Sequence, residues 1–554
     1  MSTLAHVRMF ITRLFVWRHF LKSAKSPQYV QEALLRKILS DNQYTGYGKK
    51  HGFSRFSSCG QFFSRVPIVT YEELRPYIEE QLTKNVSALT AESAVYYATT
   101  SGTTGKPKYI PLIKDELRCL RRYADLVAYS HYRWEPKSFS GKLCVISSPA
   151  EEGHFANGIA WGSVSGLLYA GIPRLVASKY VIPPEIFGIE DHEVKYRVIL
   201  RLMLAERDIT YMNAPNPTTF LKLHALANEL GRELIQEIGS GGFAAESLLS
   251  PIVRRALHGR YAANTARAKE LAEVYAMKEK ISLVDLWPSL SAVATWTAGS
   301  CSVATEALRV ASGPTVKIIE LGYQCSEFRG TVTLDPMTGE GLPMIEDYYF
   351  EFIEPETWDN GGRDCKRIHQ LQQGRDYYVI VTTRSGLYRY FINDIVRVVG
   401  KCHATPTIRF LQKGKGVTNI TGEKLYESQF VEAVRNTERY FGFRTIFSLG
   451  LADVKDQVYR AYLETASSSV SPKDIAHYLD RMLMELNHEY RAKRNSGRLH
   501  PLELGLLSPN TGNAYRAHCV SMGQKDGQFK AMLLQYVERC EFPFSSYILK
   551  TDQI

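Results

Sequence analysis

No stretch of this chain carries the roughly 18 consecutive apolar residues of a membrane-spanning helix, so none is predicted. There is also no Cys-x-x-Cys pair. The nine cysteines, at positions 59, 119, 144, 301, 325, 365, 402, 519 and 540, are odd in number and widely spaced. That argues against a disulfide framework and a structural zinc site, and it points to reduced thiols in a cytoplasmic setting. Long basic runs are missing as well. Lys and Arg outnumber Asp and Glu by 68 to 57, a formal charge of +11, but they are scattered, without a zinc finger or an aromatic RNA-binding strand. Nucleic acid is not the expected partner; the surplus reads as solvated surface with a bias towards anionic small molecules. The absence of a Gly-x-Ser-x-Gly elbow argues against a serine hydrolase. His154 and His518 have no ligand spacing around them, and His192 lies between Asp191 and Glu193 without a nucleophile motif.

What is present is a large soluble-type chain: 554 residues, 45% hydrophobic and 23% charged, enough for several structural units and a sizeable core. Residues up to about 90 read as mainly helical, with periodic segments at Gln28–Leu39 and Tyr71–Leu82. Near the start, Phe10, Leu14, Phe15, Trp17 and Phe20 alternate with Arg8, Arg13, Arg18 and Lys22. Such a basic amphipathic helix can touch a membrane surface; the preferred reading packs its aromatic stripe on its own domain. From Tyr96 onwards, strand-like runs (Lys142–Ser147, Ile209–Met212, Val316–Leu321, Tyr348–Ile353, Tyr377–Thr383) interleave with helical patterns (Asp115–Ala128, His192–Glu206, Pro217–Leu230). Interleaving of this kind predicts an α/β architecture with parallel pairing. After the strand Ile408–Leu411 comes the Gly- and Lys-rich stretch Gln412–Gly416, followed later by a long helix predicted over Lys473–Ala492. The expected division is a multi-layer α/β domain over 1–411 and a smaller α+β cap over 412–554.

Three motifs carry chemistry. Tyr97-Ala-Thr-Thr-Ser-Gly-Thr-Thr-Gly-Lys-Pro-Lys108 directly follows a β-like run. Thr100, Ser101, Thr103 and Thr104 bring hydroxyls, Gly102 and Gly105 allow turn geometries that expose N–H groups, and Lys106 and Lys108 bring positive charge. This composition suits the β- and γ-phosphates of ATP, although it lacks P-loop spacing. The second motif, Glu320-Leu-Gly-Tyr323-Gln-Cys-Ser326-Glu327, sits at the carboxyl end of a strand, where α/β sheets bind ligands. The third is Gly386-Leu-Tyr-Arg-Tyr-Phe-Ile-Asn-Asp394.

The first motif resembles the phosphate loop of the adenylate-forming superfamily, and the second is similar to its Tyr-x-x-[Ser/Thr]-Glu element. The third resembles a particular branch, the auxin-responsive acyl-acid amido synthetases (the Gretchen Hagen family) and their bacterial relatives. Trp287-Pro288, Thr297-Ala-Gly-Ser300, Tyr349-Phe-Glu-Phe352, Thr421–Glu427 and Asn487-His-Glu-Tyr490 match other segments of that branch in the correct order. The resemblance implies an adenylate-forming domain with a mobile cap. It places Tyr323 against adenine, Ser326 near the α-phosphate and Glu327 on Mg²⁺, with Gly299 and Ser300 bordering the base and Asp394 on the ribose hydroxyls. Asn393 stands where many members have Gly, and Asn tolerates the left-handed backbone such a turn needs. Gln528-Phe-Lys530 resembles a C-terminal element that supplies a catalytic lysine, with Lys424 as the competing candidate. Two positions depart from the branch. Lys413 replaces an Arg near the hinge and cannot form a bidentate contact, and the phosphate loop is closer to general adenylate-forming enzymes than to the plant amido synthetases.

The implied reaction starts with attack of a small-molecule carboxylate on the α-phosphorus of ATP, catalysed by positioning and charge neutralisation. The acyl-adenylate is kept from water and then passed to an amine, with an amino acid favoured by the resemblance. Residues Asn213–Phe220 and the N-terminal helices are the expected walls of the acyl pocket. An acyl-CoA or acyl-ester synthetase would share every ATP residue and differ only in acceptor. A non-catalytic nucleotide-binding protein is the alternative of another class, disfavoured by Glu327, Asp394 and Lys530.

Overall fold

A computed structural model of the protein describes residues 3–56, 59–84, 86–100, 108–418, 420, 423, 425–466, 470–495, 497, 499–524, 526, 529 and 531–549. The chain forms two compact units. One comprises Met1–Thr297, Ala307–Ile392 and Val396–Arg409; the other comprises Ala298–Glu306, Asn393–Ile395 and Phe410–Ile554. Among the described residues no helix is long and apolar enough to cross a membrane.

In the first unit, the β-rich runs form a four-stranded parallel sheet in the order Lys142–Val145, Ile209–Asn213, Ala292–Thr295, Lys317–Glu320. Its middle strands are buried along almost their whole length, which is why they read as continuous apolar runs rather than alternating ones. The crossover helices His192–Ala205 and Thr218–Ser240 bring Val198, Leu202, Leu223 and Leu234 into one core with Trp287. Asp191 starts the first of them by accepting the Glu193 and Val194 N–H groups, an N-cap.

A second sheet of four strands places Tyr96–Thr100 antiparallel to Lys108–Leu112 and parallel to Ala160–Gly162. A seven-stranded sheet runs in the order Lys366–Arg367, Tyr349–Ile353, Asp376–Thr382, Tyr390–Cys402, Thr405–Lys413, Glu340–Pro343, Thr331–Asp335. The helix Pro27–Asp41 is fixed beside it by the buried Gln31. Its amide donates to the Ile345 and Tyr348 carbonyls at 2.6 and 2.8 Å and accepts the Phe350 N–H at 2.8 Å.

The Gly-Leu-Tyr-Arg-Tyr motif works inside this unit. The Arg389 guanidinium forks onto both Glu351 oxygens and donates to the Phe63 and Val66 carbonyls at 2.8 and 2.7 Å. Tyr388 stacks on Tyr47 at 4.9 Å and donates to the Leu89 carbonyl at 2.6 Å. These motif side chains therefore join the N-terminal helices to the seven-stranded sheet.

The N-terminal segment is helical over Thr3–Ile11 and Arg18–Ser23, with a π-helical turn at Thr12–Trp17 between them. Trp17 and Phe20 pack inward, as the aromatic stripe predicts, but Phe10 and Phe15 are exposed. The π turn is the reason: its extra residue advances the phase, so a stripe drawn at 3.6 residues per turn splits into an inner and an outer line.

The second unit holds a four-stranded sheet in the order Glu503–Leu507, Val458–Thr465, Thr445–Asp453, Leu534–Tyr536. Helices Glu427–Phe441 and Pro472–Leu486 cover one face through Phe430, Val434, Ile475, Leu479 and Leu483. Leu449, Leu451, Tyr515, Phe529 and Phe544 build a second core. The long helix predicted over 473–492 is broken. Asn487 leaves helical geometry at φ −136° and its side chain accepts the Tyr490 N–H at 2.9 Å, starting a separate helix, His488–Asn495.

Candidate active site

At the carboxyl edge of the parallel sheet, one side chain ties two turns together. Glu320 ends its strand and is only 6% exposed. One carboxylate oxygen accepts the Thr297 N–H at 2.7 Å and the Thr297 hydroxyl; the other accepts the Gly322 N–H at 2.9 Å. Thr297 follows the strand Ala292–Thr295, and Gly322 follows Lys317–Glu320. A single buried carboxylate thus sets the spacing between the two strand-end segments through charge-assisted hydrogen bonds. The motif reading treated Glu320 only as a flanking residue. Its role was missed because its partner Thr297 lies 23 positions away.

Beyond Gly322 the chain doubles back. The Tyr323 N–H donates to the Thr331 hydroxyl at 3.0 Å, the Thr331 N–H to the Tyr323 carbonyl at 3.0 Å, and the Cys325 N–H to the Phe328 carbonyl at 3.0 Å. Arg329 donates to the Cys325 carbonyl and locks the loop. Gly322 has φ 91°, and a Cβ there would lie 3.0 Å from the Thr331 carbonyl oxygen, so only glycine fits. Tyr323 is buried with its ring edge-on to Phe328 at 5.3 Å. Ser326 and Glu327 occupy the tip of the turn, half-buried, so a hydroxyl and a carboxylate are presented on a rigid base.

Elsewhere in this unit, Thr100 ends the strand Tyr96–Thr100, with its side chain outside the description. Ser101, Gly102, Thr103, Thr104 and Lys106 lie outside the described residues. The neighbouring Thr99 hydroxyl donates to Glu152 at 3.1 Å, and the Lys108 ammonium sits 5.6 Å from the centre of the Tyr71 ring. Within the segment expected to wall an acyl pocket, Asn213 donates to the Tyr211 hydroxyl at 2.9 Å, which also meets His131 Nδ1 at 2.9 Å. Burial pushes the His131 imidazole down to about 4, so it is neutral near pH 7.

In the second unit, Gly299 and Ser300 lie on a short 3₁₀ turn, Gly299–Cys301, with the Ser300 side chain outside the description. Gly299 has φ 59°, and a Cβ on it would lie 3.0 Å from the Leu411 carbonyl and 3.2 Å from the Phe410 ring. The turn is thus packed on the strand that ends at Lys413, whose side chain is likewise outside the description. Asn393 takes the expected left-handed conformation at φ 60°, and Asp394 beside it is 2% exposed. Lys424 and Lys530 lie outside the described residues; two buried carboxylates near Lys424 in the sequence are described. Buried Glu423 accepts the Ile420 N–H at 2.7 Å and the Tyr459 hydroxyl at 2.8 Å. Buried Glu427 accepts the Leu533 N–H at 2.7 Å. Burial pushes the Glu427 carboxyl up to about 7, against the backbone N–H groups of Leu533 and Leu534, which hold it down. Among the described residues no group of three or more His, Cys, Asp or Glu side chains can hold a metal ion.

This fold is that of the adenylate-forming ligases. It is similar to 2-hydroxyisobutyryl-CoA ligase at a TM-score of 0.52 and 13% identity, over 91% of this chain and 88% of that one. Its likeness to the GH3.15 acyl acid amido synthetase is greater, with a TM-score of 0.83 at 23% identity, over 96% of this chain and 95% of that one. Sequence models of the GH3 family match in three pieces: the N-terminal domain at residues 16–317, the central domain at 341–413 and the C-terminal domain at 428–536. The chain belongs to the GH3 family. Among its relatives, the indole-3-acetic acid-amido synthetase GH3.4 of Arabidopsis thaliana is 25% identical over 91% of this chain and 89% of its own. The jasmonoyl–L-amino acid synthetase JAR6 of Nicotiana attenuata is 24% identical over 97% and 94%.

Proposed function

We propose that this protein is an ATP-dependent ligase that converts a carboxylic acid to an acyl-adenylate, releasing pyrophosphate. It then transfers the acyl group to an amine, an amino acid by preference, releasing AMP. The observation that carries this reading is the carboxylate clamp of Glu320 on Thr297 and Gly322, at the root of the Tyr323–Glu327 turn, in a chain that GH3 models match over residues 16–317, 341–413 and 428–536. The names of its relatives support an amine acceptor.

In this reading Tyr323 and the Gly299–Ser300 turn border adenine, Ser326 lies by the α-phosphate, and Asp394 binds the ribose. Loop residues 100–106 hold the β- and γ-phosphates. Glu327 offers one half-buried carboxylate, which fits magnesium, an ion commonly held by one or two carboxylates together with substrate phosphates and water. Bound there, magnesium supplies neutralisation of phosphate charge. Lys530 or Lys424, on the second unit, steadies charge on the reacting carboxylate and α-phosphate, while Lys413 replaces a bidentate arginine contact by a point charge. The segment around Gly414–Gly416 is the hinge of a cap over 412–554 that shields the acyl-adenylate from water. Asn213 and its neighbours to Phe220 wall the acyl pocket. Free cysteines at eight described positions support a reducing, cytoplasmic setting.

The test is ATP–pyrophosphate exchange over a panel of carboxylic acids, followed by AMP release with amino acids or CoA added. Exchange with at least one acid and amino-acid-dependent AMP release are expected. No exchange with any acid would leave a nucleotide-binding protein, and CoA-dependent release would make it a thioester synthetase.

A further inference from the structure

The N-terminal helical segment has two apolar faces, one packed and, among the described residues, one exposed. Met9, Thr12, Trp17 and Phe20 are buried, with Trp17 packed on Tyr129 at 5.2 Å and capped by Arg133 at 4.9 Å. The opposite face carries Val7, Phe10, Ile11 and Phe15, which are 51%, 58%, 50% and 73% exposed. Val7, Phe10 and Ile11 share one side of the helix by their i, i+3, i+4 spacing, and Phe15, inside the π turn, is exposed with them. The π turn at Thr12–Trp17 lets both lines run past it, because the inner positions step by five residues from Thr12 to Trp17. The outer line is therefore displayed on a segment held down by its other side, not on a frayed end.

Charge decides what such a face meets. Residues 1–31 contain Arg8, Arg13, Arg18, Lys22 and Lys25 and no Asp or Glu. Arg8 is engaged by Asp125 at 2.7 Å and His19 by Glu346 at 2.8 Å, and Arg13 and Arg18 are exposed beside the apolar line. A second copy of this face would bring cations against cations, because an isologous contact pairs like with like. An anionic lipid surface answers both features. Aromatic and aliphatic side chains enter the boundary between headgroups and acyl chains, while guanidinium and ammonium groups pair with lipid phosphates and carboxylates.

We propose that the outer face of this helix, centred on Phe10 and Phe15 and flanked by Arg13, Arg18 and Lys22, docks the protein onto anionic membrane surfaces. The helix lies in the interface and does not span the bilayer. This docking does not rest on the ligase reading, since it uses the exposed side of the segment and none of its residues is assigned to ATP, magnesium or the catalytic lysine.

The test is flotation of the full-length protein with vesicles of phosphatidylcholine alone or with about one third phosphatidylserine. Binding to the anionic vesicles alone, weakened by added salt, is expected. The pair Phe10→Ser and Phe15→Ser should lower the bound fraction about tenfold or more, as should Arg13→Gln with Arg18→Gln, with unchanged melting temperature because all four side chains are exposed. Three results would overturn the proposal: no binding to either vesicle, equal binding to both, or a wild-type dimer in light scattering that the Phe10→Ser, Phe15→Ser variant dissolves.

Discussion

Replacing Glu320 by Gln tests whether the clamp at the strand ends serves nucleotide binding. The wild-type carboxylate satisfies Thr297 with one oxygen and Gly322 with the other, at 2.7 and 2.9 Å from their N–H groups. Gln has the same shape but only one acceptor oxygen, so its NH₂ must face one of the two donors. One charge-assisted hydrogen bond is lost and one buried N–H is left unsatisfied, which costs about 2–3 kcal/mol. If the loss falls on the seating of ATP, KM for ATP in pyrophosphate exchange rises by about 30- to 150-fold, since 1.4 kcal/mol corresponds to a factor of ten. Thermal unfolding run beside the kinetics separates the two ways the energy can be spent. A variant whose melting temperature falls while KM for ATP stays within about twofold would refute the argument, because the clamp would then serve the fold alone.

Other consequences are equally direct. Glu327→Ala should abolish exchange and Asp394→Ala should mainly raise KM for ATP; retained exchange in the first would remove the magnesium assignment. Arg389→Lys should keep activity at low temperature but destabilise the protein by about 2–4 kcal/mol, read by chemical denaturation, because lysine cannot reach Glu351 and the Phe63 and Val66 carbonyls together. Glu427, ordinarily near 4.5 and raised to about 7 by burial, binds its proton more tightly in the folded state. Its contribution to stability is therefore full below about pH 4.5 and is lost as pH rises through about 7. Glu427→Gln should flatten that part of the stability–pH curve, and Glu116→Gln, whose carboxyl burial also raises to about 7, should flatten it further. An unchanged curve in the double variant would contradict the burial argument.

Much of the fold was legible because its signals are local. The strands Lys142–Val145, Ile209–Asn213 and Tyr349–Ile353 and the helices Pro27–Asp41 and His192–Ala205 lie close to where apolar periodicity puts them. The left-handed Asn393 was expected from the resemblance, which puts it where many members have Gly, and from the tolerance of Asn for that backbone. What escaped was non-local or depended on one residue's choice. Asn487 reads as helix interior because apolar spacing continues through Tyr490, yet its amide caps a new helix. The split of the aromatic stripe at Phe10 and Phe15 follows from a π turn that no 3.6-residue pattern contains. In the candidate site, the roles expected of Tyr323, Ser326 and Glu327 came from a family resemblance, whereas Glu320's hold on Thr297 exists only once two strands lie side by side. Arg389 stands in the Gly-Leu-Tyr-Arg-Tyr motif, and its guanidinium is engaged inside the fold, by Glu351 and the Phe63 and Val66 carbonyls.

The central claim is that a carboxylic acid is activated by ATP and delivered to an amine. The decisive measurement is mass spectrometry of products after incubating the protein with ATP, magnesium, a carboxylic acid that supports pyrophosphate exchange, and a mixture of amino acids. The account predicts an amide together with one AMP and one pyrophosphate for each amide formed. A thioester formed only with CoA, or ATP consumed to ADP and phosphate with no acyl product, would contradict it.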